Sequence, residues 1–405
     1  MFRVPGMNFV LAVLLWAVHF VLQNWVENWI SNTLMIFLRS LGWVDNCTWE
    51  LRDAAYVGDY HRALDCIRNG ADVNFRMGDQ ATLIEIAARR GHEDIVKLLL
   101  DGGANIDENM NGGWTCLHSA VADRRDNFVS LLLQRGASVH ARTESGWTAL
   151  LLAAQYDNEH IVNMLLDKGS NVNHKSNNGW TALHIATDHW HENIVKLLVR
   201  RGAGVHERTD DGCTVLHLAT SRGLENVVRF LLDKEVDVHH EDKDGCTALH
   251  KAAGNWNEDI VILLLDQGAN IHHEDKNGWT ALHWAAKGGC DYAVELLLNW
   301  GADIHYRGVN GDMALHLAAR YGYLDTVTML LNWGASIHDK DSDGNTALHK
   351  AALQGKESVV MLLLDHGAST DEVNNKGETP SDIARRGYDK AVLEILESHI
   401  QTNPA

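Results

Sequence analysis

The stretch GWTALH occupies residues 179–184, the same six letters return at 278–283, and a near copy, GWTALL, stands at 146–151. The two full copies are separated by 278 − 179 = 99 residues, which is three times 33. Stepping by 33 from the glycine lands on Gly113, Gly146, Gly179, Gly212, Gly245, Gly278, Gly311, Gly344 and Gly377, with no insertion between them. One step earlier falls on Gln80, ahead of ATLIEIAARRGHEDIVKLLLDGGANI, and one more on Cys47, ahead of ELRDAAYVGDYHRALDCIRNGADVN. The chain is therefore read as 11 tandem units over residues 47–399. Such self-similarity marks an array in which each unit packs on its neighbours.

One unit, residues 179–211, supplies the local physics. Thr181 is placed to cap a short helix from Ala182 to about Thr187, its hydroxyl accepting from a free amide of the first turn. A second helix is expected over ENIVKLLV, 192–199, where Ile194, Val195, Leu197, Leu198 and Val199 form one broad apolar face. Gly202 follows, where a left-handed residue ends a helix. Val205 then enters an extended turn leading to the next Gly-x-Thr. One such unit cannot bury its apolar faces alone, but stacked units can.

The pattern G-x-T-x-L-H-x-A-A…I-V-x-L-L-L-x-x-G-A-x-V resembles the ankyrin repeat, over residues 47–399. The resemblance implies an all-α solenoid of stacked helix-turn-helix units with hairpin-like loops projecting at right angles. It also implies binding of another protein on the loop and inner-helix face. The ends read as caps. The first unit has the polar ELRDAAYVGD, and the last begins with Thr379-Pro380-Ser381-Asp382, a good helix start. Glu394 and Glu397 alternate with Leu393 and Leu396 in its second helix, as an outward face requires. The expected organisation is an N-terminal helical segment over 1–45, the array over 46–400 and a tail over 401–405.

The first helix of a unit ends at Gly58, Gly91, Gly223, Gly289, Gly322, Gly355 and Gly387, but elsewhere at Arg124, Asp157, Trp190 and Trp256. A positive φ is unfavourable for these four side chains. The region of repeats 3 to 7 is therefore expected to be locally looser or to have a remodelled loop.

His118, His184, His217, His250, His283, His316 and His349 share one position of the repeat, with Leu151 in place of the histidine in repeat 4. Zinc needs nitrogens at about 2 Å from one ion, and helices stack about 8–10 Å apart. No metal is expected; each ring should hydrogen-bond within its own Thr-x-x-His helix start and to the adjoining loop. A second ladder, His140, His206, His239, His272, His305 and His338, lies on the loops, widened by His174, His240 and His273. Protonation of all 24 histidines would move the formal charge from −19 to +5, which predicts weaker binding of a basic partner near pH 6. DKDSDG at 339–344 resembles the start of a calcium loop, but its twelfth position is Lys350 where a bidentate Glu belongs. An Asp-rich tight turn is expected instead.

No phosphate-binding loop, nucleophile elbow or H-E-x-x-H pair occurs in the chain. The reading is non-enzymatic, with no cofactor. The six cysteines form no C-x-x-C pair, as befits a reducing compartment. Arg3 and Arg39 balance Glu27 and Asp45 in residues 1–45, so the whole charge of −19 lies in 46–405. An acidic body repels phosphate backbones, which excludes nucleic acid and favours a protein partner with a basic surface.

The residues after the turn glycines include Trp114, Trp147, Trp180 and Trp279. In the family this position faces outward, and designed binders vary it. Three consecutive indoles would make a stripe about 20 Å long at the helix-stacking distance; alternatively each covers the next loop as filler. The family's contact face is completed by helix-end pairs, here Gln155 and Tyr156, Asp188 and His189, Ser221 and Arg222, and Arg320 and Tyr321. A monomeric array is expected.

Residues 7–22, MNFVLAVLLWAVHFVL, carry Phe9, Leu14, Leu15, Trp16 and Phe20 and, extended to Val26, reach marginal bilayer-spanning length. Trp25 and Trp29 follow on the apolar side of an amphipathic pattern. Three readings stand: a membrane tether or surface-lying helix through residues 1–44, a helical hairpin packed on the first repeat or on a partner, and a secretory signal. No small-x-small cleavage site follows Leu22, which disfavours the last. The sequon Asn46-Cys47-Thr48, with Arg3 before the segment and Glu27 after it, leans towards a lumenal array. The expected location is cytoplasmic and membrane-associated, with the secretory pathway as the alternative, in which the protein is a secreted or membrane-associated effector.

Overall fold

In a computed structural model of the protein the described residues are 46–76, 81–109, 111–387 and 390–402. Among them are 22 α-helices, one short 3₁₀ turn at Asn111–Gly113 and no β-strand. The segment carrying Phe9, Leu14, Leu15, Trp16, Phe20, Trp25 and Trp29 lies outside the described residues.

The described residues divide into two compact bodies, those up to Tyr156 with His160–Ser170, and Asp157–Glu159 with those from Asn171 on. In the first, the helices Asn46–Val57, Leu83–Arg90 and Cys116–Ala122 stack side by side, followed by Ala149–Gln155. In the second, the stack runs from Ala182–Asp188 through Val215–Ser221, Ala248–Ala253, Ala281–Gly288, Ala314–Tyr321 and Ala347–Leu353 to Pro380–Arg386. Second helices stack in their own row beside the first, as Glu192–Arg200 does on Glu225–Leu232 and Glu258–Asp266 on Asp291–Asn299. The small Ala182 and Ala186 let first helices approach closely. Leu183, Ile194, Val195 and Leu198 fill the space between layers and are fully buried. Each buried aliphatic side chain contributes about 1.5–3 kcal/mol relative to exposure.

The helix starts follow the sequence. Thr181 accepts from the His184 amide at 3.4 Å, capping Ala182–Asp188. Thr379 and Asp382 cap reciprocally: the Asp382 amide donates to Thr379 Oγ1 at 3.2 Å and the Thr379 amide to Asp382 Oδ2 at 3.1 Å. In the final helix, Lys390–Thr402, Val392 and Leu396 are buried while Glu394 and Glu397 are exposed, so its outer face is polar. That helix runs two residues beyond the expected array limit of 400.

The expectation of a remodelled loop in repeats 3 to 7 is corrected. Arg124, Asp157, Trp190 and Trp256 hold φ of 57°, 54°, 65° and 59°, so the left-handed turn is kept without glycine. The handedness of the turn is set by the stacked helices it joins, and local preference yields, at about 1–2 kcal/mol per residue. Glu235 does the same at the end of a second helix, with φ 56°. Gly387, by contrast, has φ −75°. It lies one residue short of the 33-residue step, since 355 + 33 = 388.

Candidate interaction surface

The loops between repeats form a single chemical motif. From Thr143 on, a side chain three residues before the turn glycine accepts from the residue after it, except at Gly308, where backbone alone closes the turn: Thr143 Oγ1 accepts from the Trp147 amide at 3.0 Å, and Asp242 Oδ1 from the Cys246 amide at 2.9 Å. Asp275 Oδ1 accepts from Trp279 at 2.9 Å and Asp341 Oδ1 from Asn345 at 2.7 Å. Within each body, loops are also tied to their predecessors by backbone: Asp210 N donates to Asn178 O at 3.0 Å, Lys243 N to Asp211 O at 2.8 Å, and Lys276 N to Asp244 O at 2.9 Å. The turn glycines, all at φ between 69° and 79°, permit this contact. A Cβ on Gly179 would stand 2.6 Å from the Asp210 amide nitrogen. DKDSDG is thus the Asp-rich turn expected of it, with Asp341 accepting from Asp343 and Asn345.

The histidine ladder supports these loops. In all seven cases Nδ1 accepts from the amide of the N-cap residue, at 3.1 Å from Thr115 to His118 and at 3.2 Å even where Met313 replaces threonine before His316. Nε2 donates to a backbone carbonyl of the adjoining loop in five: His217 to Cys246 at 3.0 Å, His250 to Trp279 at 3.0 Å, His283 to Asp312 at 3.1 Å, His316 to Asp339 at 3.0 Å and His349 to Glu378 at 3.2 Å. In these five both ring nitrogens are committed to the protein. Burial pushes the pKa of His184, His217 and His250 down to about 4 and lowers those of His118, His283, His316 and His349. Burial likewise lowers His240. The expected charge reversal to +5 is therefore corrected. Burial holds these eight rings below the ordinary histidine range, so they do not join in a gain of positive charge as pH falls towards 6.

The residues read from the sequence as contacts separate by environment. In the first body Trp114 and Trp147 are half-buried, Trp114 lying against the His118 ring at 6.0 Å. Gln155 and Tyr156 are half-buried, the latter beneath the Arg124 guanidinium at 5.8 Å. In the second body Trp180 is half-buried edge-on to His184 at 6.1 Å. Trp279 is half-buried, with Lys287 over it at 5.0 Å, and its indole occupies the space a Cβ on Gly308 would enter. Asp188 and Arg222 are brought together, Nη2 to Oδ1 at 2.6 Å, beside the half-buried Ser221. His189 lies 6.0 Å from His191, and Arg320 packs over the exposed Tyr321, which stacks on Tyr323 at 6.3 Å.

Other contacts on this face were not read from the sequence. Lys251 pairs with Asp242 at 2.8 Å, and Lys350 bridges Asp341 at 2.5 Å and Asp312 at 3.1 Å, all five groups largely buried. Trp284 donates from Nε1 to Asp275 Oδ2 at 3.0 Å and shares Lys287 with Trp279. The signal was present: the residue after the ladder histidine is Ile185, Leu218 and Leu317 in some repeats but Lys251, Trp284 and Lys350 in others. The thiols are structural. Burial raises Cys66, Cys213 and Cys290, and pushes Cys116 and Cys246 up to about 12.

A family model described as ankyrin repeats (three copies) matches residues 51–143, 139–210, 191–275, 257–341 and 315–404. The chain belongs to the ankyrin-repeat family, whose members are protein–protein interaction modules and typically non-enzymatic scaffolds. No curated protein matches it. No helix among the described residues is long and apolar enough to cross a membrane.

Proposed function

We propose that this protein is a non-enzymatic scaffold or adaptor that binds a partner protein of basic surface along its loop and inner-helix face. The observation that carries the reading is the backbone bond from loop to preceding loop within a body, as from Lys243 to Asp211 at 2.8 Å. Loop tips such as Asp210, Asp211 and Asp244 are exposed yet held, so a partner meets a surface whose ordering entropy is already spent. The contact residues on this reading are Trp114, Trp147, Trp180 and Trp279 with the helix-end residues Gln155, Tyr156, Asp188, His189, Ser221, Arg222, Arg320 and Tyr321. The net charge of −19, all from residues 46–405, suits a cationic partner and disfavours nucleic acid. We place the array, 46–400, in the cytoplasm as a monomer, with residues 1–44 as its membrane contact.

Proximity labelling with the intact protein, compared with a W114A/W147A/W180A variant of unchanged helicity, tests the surface. The variant is expected to lose its principal neighbours; an unchanged set eliminates the stripe. Carbonate extraction should leave the protein in the membrane pellet. A glycosidase-sensitive shift at Asn46 would instead put the array in the secretory pathway and favour the effector reading.

A further inference from the structure

Two other indoles are more exposed than any of the four after the turn glycines. Trp190 is 64% and Trp256 57% exposed. Both occupy the left-handed position between first and second helix, with φ 65° and 59°, where Gly223 stands in the repeat between them. Neither ring packs on another ring or on a cation among the described residues, whereas Trp114, Trp180, Trp279 and Trp284 all do. An unfavourable backbone conformation is thus maintained for side chains that bury little of themselves in this chain, and such outliers point to a role outside the fold.

We infer that Trp190 and Trp256 are the anchors of a second docking edge that takes a basic, Arg- or Lys-rich segment of a partner protein. The edge lies at the opposite end of the first helices from the hairpin loops. The two indoles are two repeats apart, roughly 16–20 Å at the helix-stacking distance, a span of about five to six extended residues. The electrostatics select the partner. Arg222, the cation between the indoles, is neutralised by Asp188 at 2.6 Å, and Glu225 is taken by Arg229 at 2.7 Å. Glu258 and Asp259, next to Trp256, form no ion pair among the described residues. Exposed indole faces beside unpaired carboxylates bind guanidinium and ammonium groups and repel acidic segments.

The inference rests on the reading of the array as a protein-binding scaffold and adjoins its helix-end residues Asp188 and Arg222, but its indoles stand apart from those after the turn glycines, and one experiment separates the two. A fluorescein-labelled Arg-rich dodecapeptide, with a Glu-rich peptide as control, is titrated at low salt into the full-length protein, W190G/W256G and W114A/W147A/W180A. The Arg peptide should bind the parent and quench indole emission, and the Glu peptide should not. W190G/W256G should weaken binding at least tenfold while its urea midpoint holds or rises, because glycine relieves the left-handed positions. The triple variant should keep the peptide. Absence of binding to the parent, W190G/W256G binding within twofold of it, or a lower urea midpoint for W190G/W256G would each overturn the inference. So would a peptide kept by W190G/W256G and lost by the triple variant, which leaves the loop-face reading standing.

Discussion

His217 donates from Nε2 to the carbonyl of Cys246, 3.0 Å away in the next repeat, while its Nδ1 accepts from the amide of Thr214 at 3.3 Å. One neutral imidazole joins a helix start to the following loop, and a proton on Nδ1 would oppose the Thr214 amide. Burial depresses its pKa, against the bond to Cys246, which favours the protonated ring: the folded pKa is about 4 against an ordinary 6.5.

A depressed histidine pKa means that the unfolded chain binds more protons between pH 6.5 and 4. The stabilisation is complete above 6.5 and is lost as pH falls through that window, by about 3 kcal/mol for His217 below pH 4. The urea midpoint of the protein should therefore drop steeply from pH 7 to pH 4. H217Q should be less stable at pH 7 but lose less over the same range; an equal loss in both would refute the assignment.

Lys350 is held between Asp341 and Asp312, with about a tenth of its side chain exposed. Burial alone would raise the Asp341 pKa, but the hydrogen bond from Lys350 brings it below the ordinary carboxylate value. Removing one member leaves buried charge uncompensated. K350M should cost about 3 kcal/mol, and K350M/D341N/D312N should recover much of it, as read from urea unfolding.

Two glycines of similar φ should respond differently to alanine. Gly179, at 77°, faces the Asp210 amide, whereas Gly202, at 88°, has open space around its Cβ position. G202A should cost about 1 kcal/mol from the backbone alone, and G179A about 1–3 kcal/mol more from displacing the next loop. Comparable losses would mean that the loops are not in close contact.

Cys116 and Cys246 should resist alkylation in the native protein, because burial keeps their thiols protonated far above pH 8. Mass-resolved iodoacetamide labelling at pH 8 should modify both only after denaturant is added. Rapid native labelling of either would place it in a more open site.

The roles of Thr181, His217, Asp341 and Gly202 were legible because each is settled within one repeat or across one repeat boundary, and the pattern states them several times over. In the sequence Trp190 and Trp256 show only as missing glycines, which points to a disturbed loop. The helix pairs on either side hold the left-handed turn whatever residue fills it. Lys251 and Lys350 interrupt an apolar column, but that they meet Asp242 and Asp341 depends on how far one loop overhangs the next.

By itself the sequence determined the period, the helix pairs, the capped end and the acidic sign of the surface, since these follow from local hydrogen bonding and from counting. Only the tertiary structure decided which tryptophans are exposed. The indoles after Gly113 and Gly179 fold against the histidines four residues on, and that after Gly278 against the next loop, while those at 190 and 256 project from the turn. Exposure is fixed by what the fold places alongside: a histidine four residues on for Trp114 and Trp180, and for Trp279 the next loop, at Gly308, which the stacking of repeats brings against it.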